Sequence, residues 1–334
     1  MTQKISNTLP PVCTMFDTPL CTNLDELSAD IAFLGVPYEQ GQVGWEYTGQ
    51  KQAPRALRWS SRIVPYSGSG WGDVAKDEGC QGYWDMDDEE WKLRGVTMAD
   101  CGDINILPAG GERDGVLGSV ENIERITEVV RKILDRGAFP VCMGGDHTIP
   151  TPIVKAFEKY DPLDIVHFDT HGDFRESWGG IKITNADFAR RCSELPFVHN
   201  ITNIGLRGKR LSSAGKLYAY DAYKEYGQII TANKFREMGV EKVVESIPKG
   251  NNIYVTIDTD ALDPTIAPAC SGIDPGGLSY LDVQQTLIGI AKRGRVVGLD
   301  VVCFLPDHDP SQVTARVLVY LILDLLAAVF PSKR

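Results

Sequence analysis

The chain has 334 residues, of which 43% are hydrophobic and 24% are charged, close to the average composition of globular proteins. This composition excludes wholesale disorder and allows a sizeable hydrophobic core. With 34 Lys and Arg residues against 45 Asp and Glu residues, the formal net charge is −11. Because nucleic acids and anionic membranes are bound mainly through clustered basic residues, this charge argues against either kind of partner.

The cysteines and the terminal segments indicate a cytoplasmic protein. The eight cysteines form no Cys-x-x-Cys pair and several lie in apolar runs, so we expect reduced, structural thiols. Residues 1–23 are polar and lack the basic and apolar regions of a secretory signal. The longest apolar run, residues 317–330, is interrupted by Asp324 and is too short for a membrane span, so it predicts a buried helix.

The first third of the chain is irregular in pattern. We predict an N-terminal arm over residues 1–29 and a single α/β domain over residues 30–334. Short apolar strands are predicted at 31–36 and 96–98. Between them lies an aromatic-rich loop region, at about residues 38–95, which holds five of the six tryptophans. Long loops in compact domains are often functional, and the aromatic content favours ordered ones.

From residue 119 onward, apolar runs that indicate strands alternate with segments of helical periodicity. Strands are predicted at 139–143, 164–169, 201–206, 253–258 and 296–302. Helices are predicted at 119–137, 150–160, 234–244, 279–291 and 312–330. Because the strand residues are nearly all apolar, we expect a parallel sheet that is covered by helices on both faces.

Three clusters of acidic residues and histidines stand where predicted strands end: GGDH at 144–147, DTHGD at 169–173 and DTD at 258–260. The carboxyl ends of strands line the ligand crevice of an open α/β sheet, so these clusters can converge from three adjacent strands. Singly, each cluster also fits a capped turn, a hydrogen-bonded core histidine or a solvated loop. Jointly, four carboxylates and two imidazoles are costly to bury without cations, and they predict two divalent metal ions.

These segments resemble the signature motifs of the ureohydrolase superfamily, which comprises the arginases, the agmatinases and related guanidino hydrolases. The similarity spans about residues 30–330 and includes DTDALDPTIAPACSGIDPGGLS at 258–279. It implies a three-layer α/β/α sandwich with an eight-stranded parallel sheet and a binuclear metal centre. The ligands that the resemblance implies are His147, Asp169, His171, Asp173, Asp258 and Asp260. In this assignment Asp169 and Asp258 bridge the two metals.

The predicted ligands and the resemblance point to hydrolysis of a guanidino group. Oxygen and imidazole ligands without thiolate suit Mn²⁺, and imidazole also suits Ni²⁺, so we expect either ion. Two such cations activate a water molecule for attack on the central carbon of a guanidinium. A proton passed to Asp260 would then serve the leaving amine, and a urea would result. The predicted catalytic residues are Asp260, His171 and Asp282.

The chain departs from the arginase and agmatinase pattern at three positions. Asn185 replaces a proton-shuttling His, and Asp282 replaces a Glu that binds the guanidinium, either as a change of pocket or as a conservative replacement. Arg175 stands where arginases have a small polar residue, and it either disfavours a distal ammonium on the substrate or points to solvent. Aromatic residues such as Trp45 either form a wall for a small cation or pack the loop. The predicted substrate contacts are Asp282, Asn185, Arg175 and Trp45.

These departures resemble the ureohydrolases that act on guanidine, alkylguanidines or biguanides such as metformin, and we expect a substrate of this kind. Two alternatives stay open: an agmatinase or guanidinobutyrase-type ureohydrolase, and a non-catalytic metal-binding subunit of a hetero-oligomeric ureohydrolase. A metal-dependent deacetylase is disfavoured, because those enzymes normally use one zinc ion and lack the second set of ligands. The resemblance also implies a homo- or hetero-oligomer, and we expect a hexamer.

Overall fold

The computed structural model of the protein describes residues 7–43, 48–64, 82–109, 116, 118–209 and 223–333. Its strands are β1 (Thr8–Leu9), β2 (Ile31–Val36), β3 (Tyr83–Asp85), β4 (Glu90–Lys92), β5 (Met98–Ile104), β6 (Phe139–Gly144), β7 (Leu163–Phe168), β8 (Val198–Leu206), β9 (Gly227–Thr231), β10 (Asn252–Asp258) and β11 (Arg295–Val302). Its helices are α1 (Ala53–Ser61), α2 (Val120–Asp135), α3 (Pro150–Lys155), α4 (Phe188–Ser193), α5 (Ala232–Met238), α6 (Val240–Ser246), α7 (Tyr280–Ile290) and α8 (Val313–Val329).

The central sheet confirms the predicted α/β architecture with eight parallel strands. In the described part of the chain, its nine strands follow the order β1-β5-β2-β6-β11-β10-β7-β8-β9. All neighbours pair in parallel except β1, which pairs antiparallel with β5 at the sheet edge. The sequence analysis did not predict β1, because a strand of two residues is too short to show an alternating pattern of apolar and polar residues. A separate hairpin joins β3 and β4.

Helices cover both faces of the sheet, as the apolar strands predicted. On one face, residues of α1, α7 and α8 share a hydrophobic cluster with the sheet, among them Leu57, Leu287 and Leu318. On the other face, α2, α3 and α4 pack in a second cluster that includes Ile126 and Phe188. Helix α8 contains most of the apolar run at 317–330, and its buried side chains face the first cluster. No helix in the described ranges has the length and apolar character needed to cross a membrane.

Several predicted boundaries are wrong for identifiable reasons. The helix predicted at 234–244 is two helices, α5 and α6, because Gly239 adopts a positive φ of 77° that ends the first one. Helix α1 lies inside the region predicted as loops. Strand β5 extends through Asp100, which was predicted to follow a strand, because Arg58 of α1 neutralises this buried carboxylate. Residues of the predicted arm also join the core, where Met15 is buried.

Candidate metal centre

The predicted ligands lie together at the carboxyl-terminal edge of the sheet. His147 follows β6, the DTHGD segment follows β7, and Asp258 is the last residue of β10. The three strands are not all adjacent as predicted, since β11 lies between β6 and β10. The clusters nevertheless meet, because the strands are parallel and all of them end at this edge.

The turn that presents His147 is shaped by its neighbour Asp146. The carboxylate of Asp146 accepts hydrogen bonds from the backbone N–H groups of Thr148, at 2.9 Å, and Gly41, at 3.0 Å. Burial raises the pKa of Asp146 to about 6, and these hydrogen bonds partly offset that effect. Asp146 therefore fixes the turn and joins it to the loop after β2, while its neighbour points into the centre.

His147 is surrounded by more acceptors than one imidazole can satisfy. Its Nδ1 lies 3.0 Å from an oxygen of Asp169, 3.0 Å from one of Asp173 and 2.9 Å from one of Asp258. Burial lowers the pKa of His147, but the charge of Asp173 and the hydrogen bonds outweigh burial and hold it well above its usual range. A single N–H satisfies one of the three oxygens, so the donor set fits a cation that contacts all of them.

The other half of the centre is formed by His171 and Asp260. His171 Nδ1 lies 3.0 Å from Asp260 Oδ2 and 3.3 Å from Asp169 Oδ1, so Asp169 contributes to both halves. Burial, followed by the charges of Asp258 and Asp169, raises the pKa of Asp260 well above its usual range. Crowded carboxylates of this kind are relieved by cations. The residues present therefore fit the binuclear centre that the motifs predict.

The backbone at Gly272 lies very close to His171 and Asp260 in this half of the centre. Gly272 has a φ of 75°, and a Cβ atom built on it would lie 2.8 Å from the ring of His171 and 2.9 Å from Asp260 Oδ2. Glycine therefore satisfies both a positive φ and the lack of space at this position. The loop that follows β10 is held directly against the two ligands.

One residue of the centre, His167, escaped the sequence analysis. It lies within β7, where the apolar run at 163–168 conceals it, and its imidazole joins His147, Asp169 and Asp173 in a group whose ligand atoms all lie within 4.8 Å of one another. The period-2 relation of His167 to Asp169 places both side chains on the same side of the strand. This spacing could have indicated from the sequence that His167 lies near the ligand Asp169.

Among the residues that the structure describes, the predicted substrate contacts do not form one cluster as the predicted ligands do. Asp282 Oδ2 accepts a hydrogen bond from the backbone of Ser279 at 2.9 Å, and so the side chain caps α7 in a capping box. Asn185 Oδ1 accepts from the backbone of Val43 at 3.0 Å. Arg175 is exposed, and its guanidinium stacks on Trp178 at 4.5 Å from the ring centroid. Trp45 lies outside the described residues. The substrate roles of these four residues stay predictions.

Comparison with known proteins identifies the family. The model of the arginase family matches residues 29–328. The agmatinase of Bacillus subtilis (strain 168) is 34% identical over 238 residues, which cover 70% of this chain and 76% of that protein. The mitochondrial guanidino acid hydrolase of Homo sapiens is 28% identical over 322 residues, 95% of this chain and 82% of that protein.

A solved structure shows the same fold. Proclavaminate amidino hydrolase from Streptomyces clavuligerus superposes with a TM-score of 0.78 at 22% identity, over 99% of this chain and 100% of that one. The fold, the extent of the family match and the clustered His and Asp residues agree with one another. The chain therefore belongs to the arginase family and is a hydrolase that acts on C–N bonds of linear amidines.

Proposed function

We propose that this hydrolase of guanidino compounds acts on a compact substrate, namely guanidine, an alkylguanidine or a biguanide such as metformin, and uses two divalent cations. The proposal of a compact substrate rests on the departures at Asn185, Asp282 and Arg175, and the exposure of the ligands indicates where a substrate would enter. Five of the six predicted ligands are at most 9% exposed, whereas the side chain of His171 is 29% exposed. His171 is therefore the most accessible of the six predicted ligands, and a substrate would approach from its side.

Each half of the centre has its own residues. His147 and Asp173 would hold one cation, His171 and Asp260 the other, and Asp169 and Asp258 would bridge them. When bound, the cations supply Lewis acidity and an activated water. Asp260 Oδ2 faces His171 at the open side of the centre, and its Oδ1 is fixed by the backbone N–H of Thr170 at 3.1 Å. Asp260 is thus placed to pass a proton to the leaving amine.

The contacts of Asn185 and Arg175 are consistent with a substrate without a distal charge. Asn185 holds the segment after β2 through its side chain and through its backbone N–H, which donates to Gly41 O at 3.0 Å. Arg175 directs its guanidinium onto Trp178, in solvent. Both side chains are engaged in contacts within the protein, and neither contact presents a partner for an ammonium at the far end of a substrate.

A second candidate is an agmatinase or a guanidino acid hydrolase of the guanidinobutyrase type. The 34% identity with the Bacillus subtilis agmatinase favours the first, and the 95% coverage by the human guanidino acid hydrolase favours the second.

A substrate panel distinguishes the two candidates. Protein loaded with Mn²⁺ or with Ni²⁺ is assayed on guanidine, methylguanidine, metformin, agmatine, 4-guanidinobutyrate and arginine, and urea, substituted urea and free amine are quantified. We expect the highest kcat/KM on one of the first three compounds and loss of turnover in Asp258→Asn. A preference for agmatine or guanidinobutyrate would establish the second candidate. Two bound metals without turnover of any compound would refute both.

A further inference from the structure

The topology brings a cysteine to the metal centre. Cys303 follows directly after β11, the strand that lies between β6 and β10. His147 and Asp258 reach the centre from the ends of those two flanking strands. Because all three strands are parallel, the first residue beyond β11 lies at the same edge, between the two ligands. Cys303 is buried there, at 4% exposure.

The backbone of Cys303 is fixed to both sides of the centre. Its N–H donates to Gly145 O at 2.9 Å, in the turn that presents His147. Its carbonyl accepts from the backbone N–H of Ser271 at 3.4 Å, one residue before the glycine that lies against His171. The position of the thiol is therefore set by the same segments that position the ligands.

The thiol also lies close to two of the predicted ligands. Cys303 Sγ and one ligand atom each from His147 and Asp258 all lie within 4.8 Å of one another. Two ligands of one cation with metal bonds of about 2.0–2.3 Å lie about 3–4 Å apart at tetrahedral angles, so a shift of about 1 Å would bring the three atoms around one cation. Among the cysteines that the structure describes, which are 13, 21, 101, 142, 192, 270 and 303, Cys303 alone belongs to such a group.

We propose that Cys303 supplies a thiolate to the metal position that His147 and Asp258 form. This inference rests on the proposed binuclear centre and extends it, because the sequence analysis considered oxygen and imidazole ligands alone. On metal binding, the S–H proton is released to solvent and the sulfur lone pair forms the bond to the cation, without any change in oxidation state.

The consequence is metal selectivity. Thiolate is a soft ligand and imidazole is intermediate, so a mixed sulfur, nitrogen and oxygen set favours Ni²⁺, Co²⁺ or Zn²⁺ over Mn²⁺. The thiolate also alters the charge of the centre. Four Asp carboxylates balance two divalent cations, and one further negative charge then faces a guanidinium cation.

Cobalt provides a direct test. Metal-free protein is titrated with Co²⁺, and the thiolate-to-cobalt charge-transfer band in the near ultraviolet is recorded for the unmodified protein and for Cys303→Ser. We expect the band in the former and its loss in the latter. The matched control is Cys142→Ala, which alters a fully buried cysteine of β6 outside the metal-ligating groups and should keep the band.

Metal competition gives an independent readout. We expect Cys303→Ser to reduce the affinity for Ni²⁺ by about 10- to 100-fold and to leave that for Mn²⁺ within a few-fold. Cys303→Asp, with a hard ligand at the same position, should shift the preference toward Mn²⁺ and guards against a serine variant that fails to fold. Two bound Co²⁺ ions without the band, or a band that persists in Cys303→Ser, would overturn the role of Cys303. Failure to bind Co²⁺ at all would instead overturn the binuclear centre.

Discussion

His167 Nε2 lies 2.7 Å from Asp169 Oδ2, and this buried contact orients the carboxylate that both halves of the metal centre share. The opposite ring nitrogen, Nδ1, lies 3.2 Å from Asn203 Nδ2 and 3.2 Å from the hydroxyl of Tyr223. That hydroxyl in turn donates to Gly172 O at 2.9 Å. His167 therefore links a ligand to the backbone of the segment that contains the ligands, as groups behind a metal site commonly do.

Removal of this contact should weaken metal binding more than folding. We expect His167→Phe to lower the affinity for Mn²⁺ or Ni²⁺ by about 10- to 100-fold, which is typical for loss of a hydrogen bond to a ligand. His167→Gln, whose amide can still donate to Asp169, should recover part of the loss. Chelator competition measures the affinity, and thermal unfolding of the metal-free proteins is the control. Equal affinities in all three proteins would show that His167 only fills space.

The sequence predicted three clusters of Asp and His residues at the ends of apolar runs, and the resemblance to ureohydrolases implied which six of these residues are ligands. The sequence analysis did not identify His167 or Cys303 as neighbours of the predicted ligands. His167 lies inside a run that reads as core, and Cys303 follows a strand whose place between β6 and β10 depends on the order of strands in the sheet. Strand order is set by crossover connections, which local periodicity does not encode.

Asp282 caps a helix in the structure, and this observed role can be tested apart from its predicted role as a substrate contact. As a helix cap, the carboxylate pairs with the backbone of Ser279, and Glu at this position forms a capping box equally well. Asp282→Glu should thus leave the thermal unfolding midpoint unchanged. If the shorter side chain fits a compact guanidinium, the same variant should lose about tenfold to a hundredfold in kcat/KM on the true substrate. A gain of activity on every substrate would show that Asp282 has no role in selection.

A buried ion pair connects α1 to the sheet and predicts a stability effect far from the chemistry. Arg58 Nε and Nη2 bind the two oxygens of Asp100 at 2.8 and 3.0 Å, and both side chains are fully buried. Arg58→Met should destabilise the fold by about 3–5 kcal/mol, because Asp100 is left without its counter-charge. The double variant with Asp100→Leu should recover much of this loss. Urea unfolding measures both values, and equal losses in the single and double variants would contradict the explanation.

The predicted assembly can be tested without knowledge of the substrate. The resemblance predicts a hexamer. The apolar side chains of α8 are buried within the chain itself, so this helix does not explain an interface. Light scattering at micromolar concentration should give about six times the chain mass of 36.8 kDa. A monomer under these conditions would refute the prediction.

Asp300 of β11 provides a pH-dependent prediction. It lies fully buried beside the centre, where its carboxyl group accepts hydrogen bonds from the hydroxyl of Tyr254 and, at 2.7 Å, from that of Thr256. Burial raises its pKa from 3.8 to about 7, and these hydrogen bonds only partly oppose the shift.

Between pH 4 and 7 the native state therefore holds a proton at Asp300 that the unfolded chain has lost, and stability from this group falls as the pH rises. A shift of about three pKa units corresponds to about 4 kcal/mol as an upper value. In Asp300→Asn this position does not titrate. We therefore subtract the free energy of unfolding of the variant from that of the unmodified protein. This difference should fall by up to the same amount between pH 4 and pH 8. Denaturant unfolding of both proteins in the presence of chelator isolates the effect from metal binding. A difference that does not change with pH would mean that Asp300 is ionised throughout the range and that its two hydroxyl partners offset the cost of burial.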